Sequence, residues 1–319
     1  MNKTQTPRRW RLAALIGIAS ALVLTAAAGA QGTWLTLAPL PAPTEGIQVG
    51  QTGNQIIAAY GYAFGDTNLT RIYDIDTDSW SLGSAAPLPT RSEGAAATHG
   101  GYFYAVGGRS GGPLADLDRY AVETDTWVSL ASMATPRRGL GAAVVGNALY
   151  AIGGSSGASP CAGVPLATVE RYDIDSDQWT TVAPLPSPRS DLAAYAHGGK
   201  IYVFGGCTGS VVAVTNAVDV YDPVSDTWST APADMPTARS SIYGVGAKGG
   251  TVYVIGGQAG GLQLTTNEAY KLAADSWRTD TPMPSPRAEM GVVSHGGTIY
   301  TVGGGLSGVS SSLNLAFKP

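Results

Sequence analysis

Residues 192–232 read LAAYAHGGKIYVFGGCTGSVVAVTNAVDVYDPVSDTWSTAP. Four short runs stand out, Leu192 to Ala196, Lys200 to Phe204, Ala217 to Tyr221 and Trp228 to Thr230, each followed by turn-forming residues. Runs of this length, rich in β-branched and aromatic residues and punctuated by Gly, Asp and Pro, predict β-strands. No window of helical period is long enough to compete. The same unit recurs along the chain. Trp34, Trp80, Trp127, Trp179, Trp228 and Trp277 are spaced by 46, 47, 52, 49 and 49 residues, and Tyr73, Tyr120, Tyr172, Tyr221 and Tyr270 each stand seven residues before a tryptophan. Glycine pairs close an apolar strand at Gly107-Gly108, Gly153-Gly154, Gly205-Gly206, Gly256-Gly257 and Gly303-Gly304.

A four-stranded unit of this size cannot bury both of its faces alone, and radial stacking of several units buries them together. Small residues in the first strand suit a crowded centre, and Tyr and Trp suit the wider gaps between units. The ends of the chain set the count. Five units run from a first strand to a tryptophan strand, whereas the sixth begins at Pro286-Arg287 and stops at Leu313 to Phe317 with three strands. Its fourth strand is expected from Thr33 to Leu37, because an unpaired edge invites association. The prediction is an all-β, six-bladed propeller whose sixth blade is closed by the N-terminal strand.

The quartet of a small-residue strand, an apolar strand ending in Gly-Gly, a Tyr and a Trp seven residues later resembles the kelch repeat, from Thr33 to Pro319. Blade one departs from the pattern, with Tyr60-Gly61 in place of the pair. The Asp-rich segments from Asp74 to Asp78 and from Asp173 to Asp177 are read as turns between third and fourth strands, where Asp side chains bond nearby N–H groups, rather than as calcium loops.

The first 30 residues read as a secretory signal peptide. Lys3, Arg8, Arg9 and Arg11 precede an apolar run from Leu12 to Ala28, and Ala28-Gly29-Ala30 offers a cleavage site. A retained anchor is the competing reading, since 17 residues lie at the lower limit for a span. Domain organisation is thus 1–30 signal peptide and 31–319 propeller, placing the chain in a secreted or periplasmic compartment without membrane insertion after cleavage. Setting aside the four basic residues of the leader leaves 15 Lys+Arg against 23 Asp+Glu. That balance, with no basic block, excludes nucleic acid as a principal partner. A monomer is expected.

Propeller geometry places the loops between second and third strands, and the connections between blades, on one face, here called the top. Arg91, Arg137, Arg189, Arg239 and Arg287 precede the innermost strands, with Pro43 at the matching place in blade one. Two residues on come Glu93, Asp191 and Glu289, with Glu45 in blade one and Gly139 in blade three. In an extended strand, residues two apart face the same side, so a ring of alternating guanidiniums and carboxylates is expected at the top of the channel. Each arginine either holds an inter-blade turn or grips an anion, and Arg137-Arg138 is the favoured anion site because Gly139 brings no carboxylate. The longest top loops hold Cys161 and Cys207, on adjacent blades, and a disulfide between them is expected in an oxidising compartment.

His99, His197 and His295 occupy one repeat position at the opposite face, two blades apart, too distant for a shared metal. No metal site, cofactor or nucleophile motif is predicted. The leading functional reading is an exported binding module that takes a protein segment or glycan, anionic in character, on the face carrying Arg91, Arg137, Arg138, Arg189, Arg239 and Arg287. The alternative is a carbohydrate-active enzyme, since the resemblance extends to the exported six-bladed N-acetylneuraminate epimerases. The resemblance then implies that Arg91, Arg189 or Arg287 binds the acidic sugar and that Glu93, Asp191 or Glu289 moves the proton.

Overall fold

The computed structural model describes residues 32–157, 161, 163–209, 213–306 and 308–319. The signal-peptide assignment lies outside the described residues. Six four-stranded antiparallel sheets account for the six blades. Blade four, the segment quoted above, forms Ala193–His197, Lys200–Phe204, Val218–Asp222 and Thr227–Ser229. The innermost strands of blades one, two, three and six are Gln48–Thr52, Ala95–His99, Gly141–Val145 and Gly291–His295. In blade five only Gly246–Lys248 is regular.

The ring closes as expected. Thr33–Thr36 pairs with Asn314–Lys318, placing Trp34 opposite Phe317 and Leu35 opposite Ala316. The closing strand also reaches back to blade five, where Trp34 Nε1 donates to the Thr281 carbonyl at 3.0 Å.

The Tyr/Trp spacing has a double use. Within each blade the two rings pack with centroids about 5 Å apart, as in Tyr172–Trp179 at 5.1 Å, and Phe317 replaces the tyrosine against Trp34 at 4.8 Å. Each tryptophan Nε1 donates to a carbonyl of the preceding blade, Trp179 to Ala131 at 2.7 Å and Trp228 to Ala183 at 2.9 Å. An Asp two residues before the tryptophan completes the clip. Asp177 accepts from the Tyr172 hydroxyl at 2.7 Å and from the Ala131 N–H of the neighbouring blade at 2.8 Å. This Asp has φ of 55°, a left-handed turn position that Asp tolerates better than most residues. The Asp-rich segments are therefore turns, as read, with Asp74 and Asp173 accepting from Thr77 and Ser176 N–H groups.

Apolar clusters fill the gaps between blades. One joins Ile152, Val169 and Leu185 of blade three to Leu192, Ile201 and Tyr221 of blade four. The glycine pairs are required by close backbone approach. A Cβ on Gly153, whose φ is 60°, would meet the Arg189 carbonyl at 2.6 Å. In blade one the equivalent residue is Tyr60, held at φ 57°. Its ring lies 4.1 Å from the Arg91 guanidinium and its hydroxyl donates to Asp118 at 3.0 Å. These contacts offset the strain of a tyrosine in that conformation.

Candidate functional site

The recurrent arginines do not line the channel. Arg91, Arg137, Arg189, Arg239 and Arg287 are fully buried and turn into their own blades. Each guanidinium bonds main-chain carbonyls there, Arg137 reaching Gly153 and Thr168 at 2.9 Å each and Arg287 reaching Gly303 at 2.8 Å. Four of them also meet a buried carboxylate on the third strand: Arg91 with Asp118 at 2.8 Å, Arg137 with Glu170 at 2.6 Å, Arg239 with Glu268 at 2.9 Å, and Arg189 with Asp219. Arg287 instead donates to Thr301 Oγ1 at 2.8 Å. Burial lowers the proton affinity of Arg239 and Arg287 to about 10, still far above neutrality. The expected ring of guanidiniums at the channel mouth is thus not formed by these five residues.

Blade one needs a correction of register. The Gly304 N–H donates to Thr44 O as Gly154 N–H donates to Arg189 O, so Thr44, not Pro43, occupies the arginine position and Gly46, not Glu45, the position two residues on. Blade one instead carries a buried arginine on its third strand, Arg71, which donates to Tyr60 O.

The expected alternation fails for a local reason. Glu93, Asp191 and Glu289 have φ of 56°, 54° and 56°, and Gly46, Gly139 and Ser241 share that conformation at 57°, 59° and 54°. A left-handed residue breaks the side-to-side alternation of an extended chain, so the acids are not bound to the side of their arginines. These residues are tied around the channel axis by backbone bonds. Glu93 N–H donates to Gly46 O, Gly139 to Glu93, Asp191 to Gly139, Glu289 to Ser241 and Gly46 to Glu289, with Ile242 N–H to Asp191 O closing the circle.

At this collar the carboxyl groups converge. Glu93 is held by two cations, Arg109 Nε at 2.9 Å and the Arg138 guanidinium. Asp191 is buried. Its Oδ1 accepts from the Tyr243 hydroxyl at 3.0 Å, and its Oδ2 lies 3.2 and 3.4 Å from the sulfurs of Cys161 and Cys207. Those cysteines form the expected disulfide across 46 positions, with Cα atoms 5.4 Å apart. Gly139 leaves room for this arrangement, since a Cβ there would sit 2.3 Å from Asp191 Oδ1. Burial, assisted by the negative charge of Glu93, raises Asp191 to about 8. At neutral pH it is therefore mainly protonated, with its Oδ2 edge turned to the disulfide sulfurs. Burial together with Glu93, Asp191 and Glu45 raises Glu289 well above the usual carboxylate range, with Arg138 opposing. Glu289 is ringed by protein yet keeps part of its surface open. Glu45, half-buried, is raised by burial and by Glu93 and drawn back down by Arg109. Its carboxylate lies over Gly305, where a Cβ would be 2.1 Å from Oε2.

Below the collar runs the central channel, a void of about 200 Å³ lined by small first-strand residues, including Gly94, Ala95, Gly141 and Ala194, with Tyr243 also on its wall. His99, His197 and His295 end innermost strands at the far face, as expected. His295 Nδ1 lies 3.0 Å from Gln51 Nε2, and His197 stacks on Tyr195. Among the described residues, the one group of three with metal-type donors is Cys161, Asp191 and Cys207, and its two sulfurs are bonded to each other.

Sequence reasoning missed the partner acids Asp118, Glu170, Asp219 and Glu268. The signal was present: an acid two residues before the blade tyrosine in each of blades two to five, with Arg71 there in blade one, which lacks the loop arginine. It also missed Arg109, Tyr62, Phe64 and Tyr243. Tyr62 sits beside the site, its backbone paired with Glu45 and its ring 5.7 Å from the Arg109 guanidinium.

The architecture and its repeat residues define a kelch-type propeller, and the chain belongs to the kelch-repeat family. The KLHDC2/KLHL20/DRC7 Kelch-repeats domain model matches residues 135–304 and the Kelch motif model residues 90–134. Kelch-like protein 35 of Mus musculus is 35% identical over 128 residues, covering 40% of this chain and 21% of that protein. Beta-scruin of Limulus polyphemus is 37% identical over 133 residues, covering 40% and 14%. The chain therefore spans about a fifth or less of the length of these relatives. The solved structure of YjhT is similar in fold, with a TM-score of 0.75 at 16% identity over 87% of this chain and 95% of that one.

Proposed function

We propose that this propeller is an exported carbohydrate-active protein that accelerates mutarotation of a reducing sugar at the collar. The observation that carries the reading is Glu289. Its carboxyl is pushed well above the usual carboxylate range by burial and by neighbouring acids, sits among protein groups with part of its surface open, and stands beside a second carboxyl, Glu45, in a different electrostatic setting. Two neighbouring titratable groups pushed apart in proton affinity are what paired acid and base catalysis requires. Glu289 gives its proton to the ring oxygen as Glu45 takes the anomeric hydroxyl proton. The C1–O bond of the ring opens to the carbonyl form, and reclosure on the other face of the carbonyl returns both protons, so the cycle is redox-neutral. Glu93, locked between Arg109 and Arg138, and Asp191, enclosed by Tyr243 and the disulfide, set the field rather than move protons. Among the three acids named from sequence, the geometry favours Glu289. The Cys161–Cys207 disulfide supports export to an oxidising compartment.

The test is a mutarotation assay, by polarimetry or proton NMR, on freshly dissolved anomers with the wild type and Glu289→Gln. The wild type should accelerate interconversion and the variant should lose most of that acceleration, on the order of 10²-fold or more. No acceleration by the wild type rejects the proposal.

A second reading, a platform for a protein partner, draws support from the rim of blades six and one. Phe64 is 99% exposed, with Leu306, Val309 and Tyr62 also exposed on these two blades and Ser310 Oγ donating to Tyr62 O. A contiguous exposed apolar patch is a common mark of protein contact.

A further inference from the structure

We infer that Tyr62 is the residue that holds the sugar at this collar, its ring bearing the C–H face of a pyranose while Glu289 and Glu45 act on the anomeric end. This assignment rests on the mutarotase reading and deepens it. Its basis is a second circle of residues beside the left-handed collar. In every blade the residue after the arginine position pairs with the residue after the glycine pair, as Glu45 does with Tyr62 in blade one and Ser92 with Arg109 in blade two. In blades three and four both members of the pair are buried. There Cys161 is bonded to Cys207 and lies 3.7 Å from Ser240 Oγ of blade five. In blade six the outer member is Gly305, which brings no side chain. The accessible side chains of the circle are therefore Glu45, Tyr62, Arg109 and Gln258, and Tyr62 is the one aromatic among them.

Backbone pairing fixes where that ring stands. Tyr62 N–H donates to Glu45 O at 2.8 Å, and Glu45 N–H donates back to Tyr62 O at 3.1 Å. Side chains of a directly opposed antiparallel pair leave the same face, with Cβ atoms about 5 Å apart. From this shared origin the two diverge. Glu45 leans over Gly305 toward blade six, which also carries Glu289, whereas the Tyr62 ring lies 5.7 Å from the Arg109 guanidinium of blade two. A pyranose whose anomeric end meets Glu45 and Glu289 therefore extends along Tyr62. The two surfaces match. Hydroxyls point outward around the edge of a pyranose and C–H bonds cover its faces, while tyrosine offers a flat apolar body with 37% of the residue exposed. Such a platform makes no demand on the net charge of the sugar.

The experiment measures mutarotation of α-D-glucose, N-acetyl-D-glucosamine and N-acetylneuraminate by the intact mature protein at pH 7, as wild type, Tyr62→Ala and Tyr62→Phe. For each sugar that the wild type accelerates, Tyr62→Ala should raise KM about threefold to tenfold with kcat changed by no more than about twofold, the pattern of a contact made equally in ground and transition states. Tyr62→Phe keeps the ring and should keep the wild-type KM. Saturation-transfer NMR with the wild type should mark the C–H protons of one pyranose face above those of the other, a readout that needs no variant to fold. Unchanged KM in Tyr62→Ala, a Tyr62→Phe protein as impaired as Tyr62→Ala, or equal transfer to both faces overturns the platform and leaves proton transfer at Glu289 intact. If the wild type accelerates none of the three sugars, the mutarotase reading falls and this inference falls with it.

Discussion

Arg137→Met asks most directly what the recurrent arginines are for. In the native blade the Arg137 and Glu170 side chains are 0% and 2% exposed and meet at 2.6 Å. Replacing the guanidinium by a thioether of similar length removes the donors to Gly153 O and Thr168 O and leaves Glu170 held by the Ala134 N–H at 2.9 Å. Breaking a buried pair from one side costs about 3–5 kcal/mol. For a domain of this size each kcal/mol moves the midpoint by about 2–4 °C, so Tm should fall by about 6–20 °C. Adding Glu170→Leu should recover part of the loss, because no uncompensated charge then stays in the core. Arg109→Gln, with a quarter of its side chain exposed, should shift stability by no more than about 1 kcal/mol. The assay is thermal unfolding of the mature protein at pH 7, followed by circular dichroism. If Arg137→Met melts within about 2 °C of the wild type, the guanidinium does not hold the blade and the assignment of these arginines to structure is wrong.

Further outcomes follow from the same contacts. Asp191 binds its proton more tightly folded, at about 8, than unfolded, so between the ordinary carboxylate range near 4 and about 8 the native state holds the extra proton and stability falls as pH rises. Asp191→Asn should flatten the stability profile in that window, and an unchanged slope would contradict the burial of a neutral acid. Asp125, Asp226 and Asp275 lie below their ordinary values, mainly through the hydroxyls of Tyr120, Tyr221 and Tyr270. Their contribution is present above about pH 4 and disappears as pH falls through the native values, so changing all three to Asn should shallow the acid unfolding curve. Cys161→Ser with Cys207→Ser should cost about 4 kcal/mol in the chain-entropy picture, read from denaturant midpoints. Deleting residues 32–37 removes the strand that covers Asn314–Lys318 and should convert a dispersed protein into one that self-associates, measured by light scattering.

The blade count, the closure by Trp34 and the Cys161–Cys207 bridge were legible in the sequence because each rests on a regularity that repeats or on a pairing that topology forces. Six tryptophans at near-constant spacing leave little freedom, and a three-stranded terminal blade beside a stray strand has one economical solution. The collar was not legible in this way. Reading Arg91 and Glu93 as neighbours on one side assumed an extended chain, and the left-handed φ of Glu93, Asp191 and Glu289 cancels that assumption one residue at a time. Blade one was read one residue out of register for a related reason, since only the Gly304 to Thr44 bond fixes which residue plays the arginine's part.

Sequence by itself determined which residue types recur and how often, and hence the architecture that a four-stranded, edge-avoiding repeat must build. Tertiary structure alone decided where the charges go. It sent five arginines inward to carbonyls, four of them also to third-strand acids some 30 residues away, and it gathered Glu45, Glu93, Asp191 and Glu289 from four blades around one axis. The physical reason is that packing is dictated by periodicity, which one strand displays, whereas a site's charge balance depends on distances between blades that no single segment contains.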